Sequence, residues 1–269
     1  MFYVRVKDNT KIAVYDLNPT GKETVVMIHG WPLSAKMYEY QKRFLVDHGY
    51  RVVTMDLRGF GNSDATCCGY GYDQLADDIY QVVRSLNLRP FILVGFSMGG
   101  AIVLRYMNRC RGYNVKKLVL LAAAAPVFNR TPDFPYGNSR ESTDALICQA
   151  KTDRPQLCQD FSRQLLYSPH SEAVKDWFRD LGLSASGIGT VMTAYSLRDE
   201  DGRADLKAVR VPTGIFHGMQ DQIVPFELGE IQHQAIANSQ LFPFENSGHG
   251  IFYDELEKFN WEFLDFLQC

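Results

Sequence analysis

Apolar residues along this chain fall into two kinds of run. Glu23–Ile28, Tyr50–Met55, Phe91–Val94 and Lys117–Leu121 are continuous and rich in β-branched residues. That pattern predicts strands buried on both faces of a parallel sheet. Val211–His217 and Gln240–Phe244 repeat it late in the chain. The N-terminus differs: Phe2–Val6 alternates, and Lys11–Leu17 reads as its hairpin partner. Between the strands, apolar residues recur at helical spacing. Met37–His48 runs to Gly49. Asp73–Leu86 places Leu75, Ile79, Val82, Val83 and Leu86 on one stripe, with acidic residues in its first turn. Met98–Arg109 and Glu255–Leu267 add two more helices. Alternating strands and helices predict an α/β protein, with a mostly parallel eight-stranded sheet covered by helices on both faces.

The alternation stops after Ala125. Residues 127–207 hold Pro132, Pro135, Pro155 and Pro169 between short helical stretches, and no buried strand. The simplest organisation is one core domain, residues 1–126 and 208–269, interrupted by a helical cap, residues 127–207. Such a cap would lie over the carboxyl edge of the strands, where open α/β sheets bind ligands.

Composition adds exclusions. With 28 basic and 31 acidic residues in 269, the net charge is −3. No Lys/Arg-rich run points to nucleic acid or an anionic membrane. The longest strongly apolar run, Leu118–Phe128, contains Pro126 and falls short of the roughly 20 residues a membrane helix needs. The N-terminus has no basic region followed by a long apolar stretch, so a cytoplasmic protein is expected. Its six cysteines (Cys67, Cys68, Cys110, Cys148, Cys158 and Cys269) are then expected as free thiols. There is no CxxC pair, HExxH, EF-hand pattern or GK[ST], so no metal or cofactor is expected.

The strongest chemical signal is Gly95-Phe96-Ser97-Met98-Gly99, followed by Gly100. A buried strand runs into it and a helix runs out. A turn this sharp strains the serine backbone, needs small neighbours and exposes the hydroxyl above a helix N-terminus. Serine needs a base to become a nucleophile. Where a strand–turn–helix carries the nucleophile, acid and base follow it in that order. His249, in the flexible turn Asn246–Gly250 past the last strand, is the candidate base. His170, in the cap, is its rival for substrate contact. His217 reads as a buried structural histidine, and His48 and His233 as solvated ones. Asp221, after one strand and before a helix, is the candidate carboxylate, whereas Asp199, Asp201 and Asp205 read as solvated charges. Acyl transfer also needs donors for the developing oxyanion. The N–H of Met98 is one. In the early strand-end loop His29-Gly30-Trp31-Pro32, Trp31 offers the second and Pro32 none. Asp56–Ser63 is a Gly-rich structural turn near the site.

His29–Pro32, Asp56–Asp64, Gly95–Gly100, His217–Pro225 and Ser247–Glu255 stand in the order of the α/β-hydrolase superfamily, which the chain resembles along essentially its whole length. Within it, His29–Ser34 and Gly95–Gly100 resemble the cofactor-free, non-haem haloperoxidases and their relatives: aryl esterases, perhydrolases and a γ-lactamase. The resemblance implies catalysis by Ser97, Asp221 and His249, oxyanion donors at Trp31 and Met98, and hydrolysis of small carboxylic esters through an acyl-enzyme. Pro32 implies perhydrolysis, with hydrogen peroxide as a co-substrate in place of water. Trp31, Pro32, Phe96 and Met98 are expected at the substrate, with Phe128, Phe134, Trp177 and Met192 as further candidates from the cap. A short-chain or aryl ester is the default substrate. A lactonase, a γ-lactamase, a carbon–carbon bond hydrolase or a ligand-sensing scaffold stays open.

Overall fold

The computed structural model describes residues 1–268; Cys269 lies outside the described residues. Eight strands form one sheet: β1 (Phe2–Arg5), β2 (Lys11–Leu17), β3 (Thr24–Ile28), β4 (Arg51–Met55), β5 (Phe91–Phe96), β6 (Val115–Leu121), β7 (Thr213–Gly218) and β8 (Ser239–Phe244). Their order is β1-β2-β4-β3-β5-β6-β7-β8. Only the β1–β2 and β2–β4 pairs are antiparallel. The other five pairs are parallel. Helix α1 (Glu39–Asp47) follows a 3-10 turn at Ala35–Tyr38; α2 (Tyr72–Ser85) and α3 (Met98–Arg109) complete the first half. Between β6 and β7 come α4 (Arg140–Thr152), α5 (Arg154–Gln164), α6 (Glu172–Leu183), α7 (Gly187–Asp199) and α8 (Arg203–Leu206). Helix α9 (Phe226–Ala235) joins β7 to β8, and α10 (Ile251–Asp254) and α11 (Leu256–Gln268) close the chain. None of these helices is long and apolar enough to cross a membrane.

The continuous apolar runs become central strands. Every residue of β5 is buried, and so are Val25–Ile28 of β3 and Leu118–Leu121 of β6. Such strands have no solvent face to mark with polar residues. On α2, Leu75, Ile79, Val82 and Val83 are wholly buried, as the stripe predicts. The residues between β6 and β7 are helical, with only two isolated bridges, Asn129–Asn138 and Thr131–Phe134, among the described residues. Pro155, which looks like a break in the sequence, instead opens α5, and the Asp153 side chain accepts the N–H of Gln156 at 3.1 Å. Proline suits the first turn because its missing N–H has no partner there anyway.

Two features set up the site. In the β3–β5 register Ile28 lies beside Gly95, so the His29–Pro32 loop leaves the sheet next to Ser97. The Asp56–Ser63 turn is structural, as expected. Asp56 Oδ1 accepts the Ala35 N–H at 2.8 Å, and its Oδ2 accepts the Asn62 N–H and the Tyr15 hydroxyl, both at 2.9 Å. Buried Arg58 grips Asp78 through two hydrogen bonds of 2.6 and 2.8 Å. Asp205 departs from expectation. It is buried, not solvated, because Arg105 Nε and Asn108 Nδ2 donate to it at 2.8 and 2.7 Å. Cys67, Cys68, Cys110, Cys148 and Cys158 are free thiols.

Candidate active site

Ser97 stands between β5 and α3 with φ 52° and ψ −120°. Positive φ is costly for a side chain other than glycine, and strain of this kind persists only where the surroundings enforce it. Here they do. A Cβ on Gly95 would run into the carbonyl of Gly99, and one on Gly100 into Ala123. A Cβ on Gly30 would come within 2.8 Å of the Ser97 Cβ, so the His29–Pro32 loop lies directly against the serine. A Cβ on Gly99 would collide with the carbonyl oxygens of Ile28 and His29. These are backbone atoms that cannot yield without moving the loop. Gly99→Ala is therefore expected to lose about 1–3 kcal/mol of stability by denaturant titration, with a fall in any activity that uses Ser97.

His29 holds the same loop from below. The N–H of Leu57 donates to its Nε2 at 3.0 Å, so Nδ1 carries the proton and meets the Gly30 carbonyl at 2.9 Å. Burial lowers the His29 pKa against the pull of Asp56, in keeping with a neutral ring. The N–H groups of Trp31 and Met98 enter no turn or loop hydrogen bond among the described residues.

His249 is wholly buried, not in an open turn as its Gly-flanked sequence suggests. Its Nδ1 donates to Asp221 Oδ2 at 2.7 Å, while its Nε2 has no partner among the described residues. Its ring lies 4.7 Å from that of Phe96, the neighbour of Ser97. The loops after β7 and β8 lie in close contact here, since a Cβ on Gly218 would overlap the carbonyls of Ser247 and Gly248. Asp221 Oδ1 accepts the N–H groups of Ile223 and Val224, both at 2.8 Å. His217, buried as expected, donates from Nε2 to the Val224 carbonyl at 2.8 Å and lies 3.4 Å from Asp221 Oδ2. Burial alone would raise the Asp221 carboxyl. The charge His249 can carry and the hydrogen bonds from both histidines outweigh burial and hold it well below the usual carboxylate range. A carboxylate on Nδ1 leaves Nε2 as the lone-pair nitrogen, the form that can take a proton.

A cavity of about 790 Å³ reaches Ser97 and Trp31 and is otherwise lined mainly by the helical insertion, including Phe128, Leu146, Leu157, Phe161 and Leu197. The Trp31 indole donates to the Thr190 carbonyl of α7 at 2.9 Å and stands edge-on to Phe161 of α5. Of the residues expected at the substrate, Trp31 and Phe128 line the cavity. Phe96 and Met98 are wholly buried outside it, and Pro32 is buried against Gly182 of α6, whose Cβ position is 3.5 Å from the ring. A residue in the strained elbow turns its neighbours inward, so proximity in sequence to Ser97 does not mean access. Phe134 is buried elsewhere, Trp177 packs on Phe178 and Tyr253, and Met192 is exposed. His170 does not line the cavity; its Nε2 meets Asp254 Oδ1 at 2.8 Å.

Comparison with known proteins identifies the fold family. The family profile for the alpha/beta hydrolase fold matches residues 23–256. The chain is 44% identical to the AB hydrolase superfamily protein YisY of Bacillus subtilis, over 96% of each chain. It is 36% identical to the non-heme chloroperoxidase CPO-A1 of Kitasatospora aureofaciens, over 90% of this chain and 91% of the other. The solved esterase EaEST of Exiguobacterium antarcticum superposes with a TM-score of 0.96 at 43% identity, covering 100% of this chain and 99% of that one. The chain belongs to the α/β-hydrolase fold family, alongside esterases and non-haem haloperoxidases.

Proposed function

We propose that this protein is a serine esterase that cleaves small carboxylic esters through an acyl-enzyme. The observation that carries the reading is the strained Ser97 elbow, open to a large cavity, with a buried His249–Asp221 pair packed on the adjacent Phe96 ring. In the proposed reaction Ser97 Oγ attacks the ester carbonyl while His249 Nε2 takes its proton. The N–H groups of Trp31 and Met98 receive the developing oxyanion. His249 then returns the proton to the leaving alcohol, and water deacylates the enzyme by the reverse sequence. Asp221 fixes the imidazole tautomer and stabilises its charged form. Residues 127–207 act as a cap that shapes the acyl and alcohol pockets. The cavity volume falls within the range of roughly 300–1,000 Å³ typical of small-molecule sites, which suits aryl and short-chain esters. Purified protein should turn over p-nitrophenyl acetate and butyrate with no loss on adding a chelator. A folded protein that cleaves only lactones or γ-lactams would replace the simple-ester reading, and one that cleaves none of these would favour a ligand sensor.

The same acyl-enzyme can be intercepted by hydrogen peroxide, giving a peracid that oxidises halide in solution. The position of Pro32, directly after Trp31 and buried beside α6, supports this second activity, as does likeness to a non-heme chloroperoxidase. Proline rigidifies the loop and can hold a carbonyl toward peroxide in the acyl pocket. Pro32→Leu should lower peroxide-dependent peracid formation relative to ester hydrolysis. Equal ratios in the two proteins would remove the perhydrolase assignment.

A further inference from the structure

One buried carboxylate outside the Ser97 cavity joins the helical insertion to the His249 loop. Asp254, at the end of α10, has a wholly buried side chain. Its Oδ2 accepts the N–H groups of Gly248 at 2.8 Å and Tyr167 at 2.9 Å. Its Oδ1 accepts the N–H of Ser168 at 3.1 Å and lies 2.8 Å from His170 Nε2. Gly248 immediately precedes His249, whereas Tyr167, Ser168 and His170 belong to the link between α5 and α6. Two further hydrogen bonds cross the same seam. Ser168 Oγ donates to the Asn246 carbonyl at 2.8 Å, and the Gly250 N–H donates to the Leu165 carbonyl at 2.7 Å. A Cβ on Gly248 would sit 3.1 Å from the Tyr167 nitrogen, so the two segments are in direct contact. Among the described residues no lysine or arginine pairs with Asp254.

A carboxylate offers about four acceptor sites, and all four donors here come from segments the chain must bring together. The His249 loop carries glycine on both sides of the histidine, so its own backbone does little to hold the ring. We propose that Asp254 is a positioning residue for His249, and that seating of residues 165–170 on Asp254 is what places the histidine toward Ser97. The inference rests on the reading of His249 as the base. A misplacement of about 1 Å can cost on the order of 100-fold in rate, so the effect belongs in kcat. KM reports the cavity, which Asp254 does not line.

The test compares wild type, His170→Ala, His170→Gln and Asp254→Asn by two readouts. The first is amide hydrogen exchange at residues 165–170 and 246–251. The second is kcat and KM for p-nitrophenyl acetate. His170→Ala should deprotect both segments together and lower kcat about tenfold with KM within about twofold. His170→Gln, whose amide can donate to the same oxygen, should restore both. Asp254→Asn should exceed His170→Ala in each readout, because its amide nitrogen cannot accept from backbone N–H groups. Should Asp254→Asn fail to fold, the His170 pair decides alone. Loss of protection confined to 165–170 in His170→Ala, or an unchanged kcat, would overturn the proposal. If the wild type cleaves no ester, the esterase reading fails by itself, and exchange still shows whether the two segments move as one.

Discussion

Ser97→Ala is expected to lower kcat/KM for p-nitrophenyl acetate by at least about 10⁴-fold, with no measurable loss of stability. The size follows from the role proposed for the hydroxyl. Without it no acyl-enzyme forms, and only oxyanion stabilisation and binding remain. The absence of a stability penalty follows from the local structure. The Ser97 side chain makes no capping hydrogen bond at the start of α3, so its removal leaves no partner stranded. Alanine carries the same Cβ and therefore the same cost at φ 52°. Initial rates on both proteins, with matched urea unfolding curves, check the two halves separately. A Ser97→Ala protein retaining a tenth of wild-type activity would place the nucleophile elsewhere.

Asp221→Asn is expected to lower kcat by about 10⁴-fold at neutral pH, and here the surroundings dictate why. Asp221 Oδ1 is held by the N–H groups of Ile223 and Val224, so an asparagine must put its carbonyl on that side. Its NH₂ then faces His249 Nδ1, which can no longer be a donor. The imidazole shifts its proton to Nε2 and loses the lone pair needed toward Ser97. Nitrogen NMR of His249 should report the tautomer change directly. The wild-type carboxyl lies well below its ordinary range, so it stays ionised as the pH falls through the acid limb of the rate profile. For stability the sign is that of a depressed carboxylate. Its contribution is present above the unfolded value of about 3.9 and is lost only in stronger acid, as the pH drops through the folded value.

Much of the core was legible because buried strands carry their own signature. Thr24–Ile28 and Arg51–Met55 lie within one residue of the apolar runs that predict them, and Met98–Arg109 is matched at both ends. The apolar run Phe91–Val94 stops two residues short of β5, which continues through Gly95 and Phe96 to the elbow. Glycine there reads as a turn, whereas the strand needs it for close packing against α3. The insertion resisted such detail: short amphipathic helices packed on a neighbour leave weak periodicity, and Pro155 marks a start that looks like a stop. Ser97, Asp221 and His249 could be picked out because each follows a strand in a glycine-rich setting. The pairing geometry of His249 with Asp221, and the second histidine at 3.4 Å from the same oxygen, could not. Asp254 is unmarked in the sequence for a related reason. One acid in a helix carries no local sign that three donors from a distant segment and one from the His249 loop converge on it, and the signal lies only in its place five residues after His249.

Covalent labelling tests the central claim most directly. Wild-type protein and His249→Ala would be incubated with a fluorophosphonate, which needs an activated serine, and the adduct mapped by mass spectrometry. The account predicts one adduct per chain, on Ser97, formed rapidly in the wild type and far more slowly in His249→Ala. Folded, ester-cleaving protein that takes no label on Ser97, or takes it equally fast without His249, would contradict the acyl-enzyme mechanism.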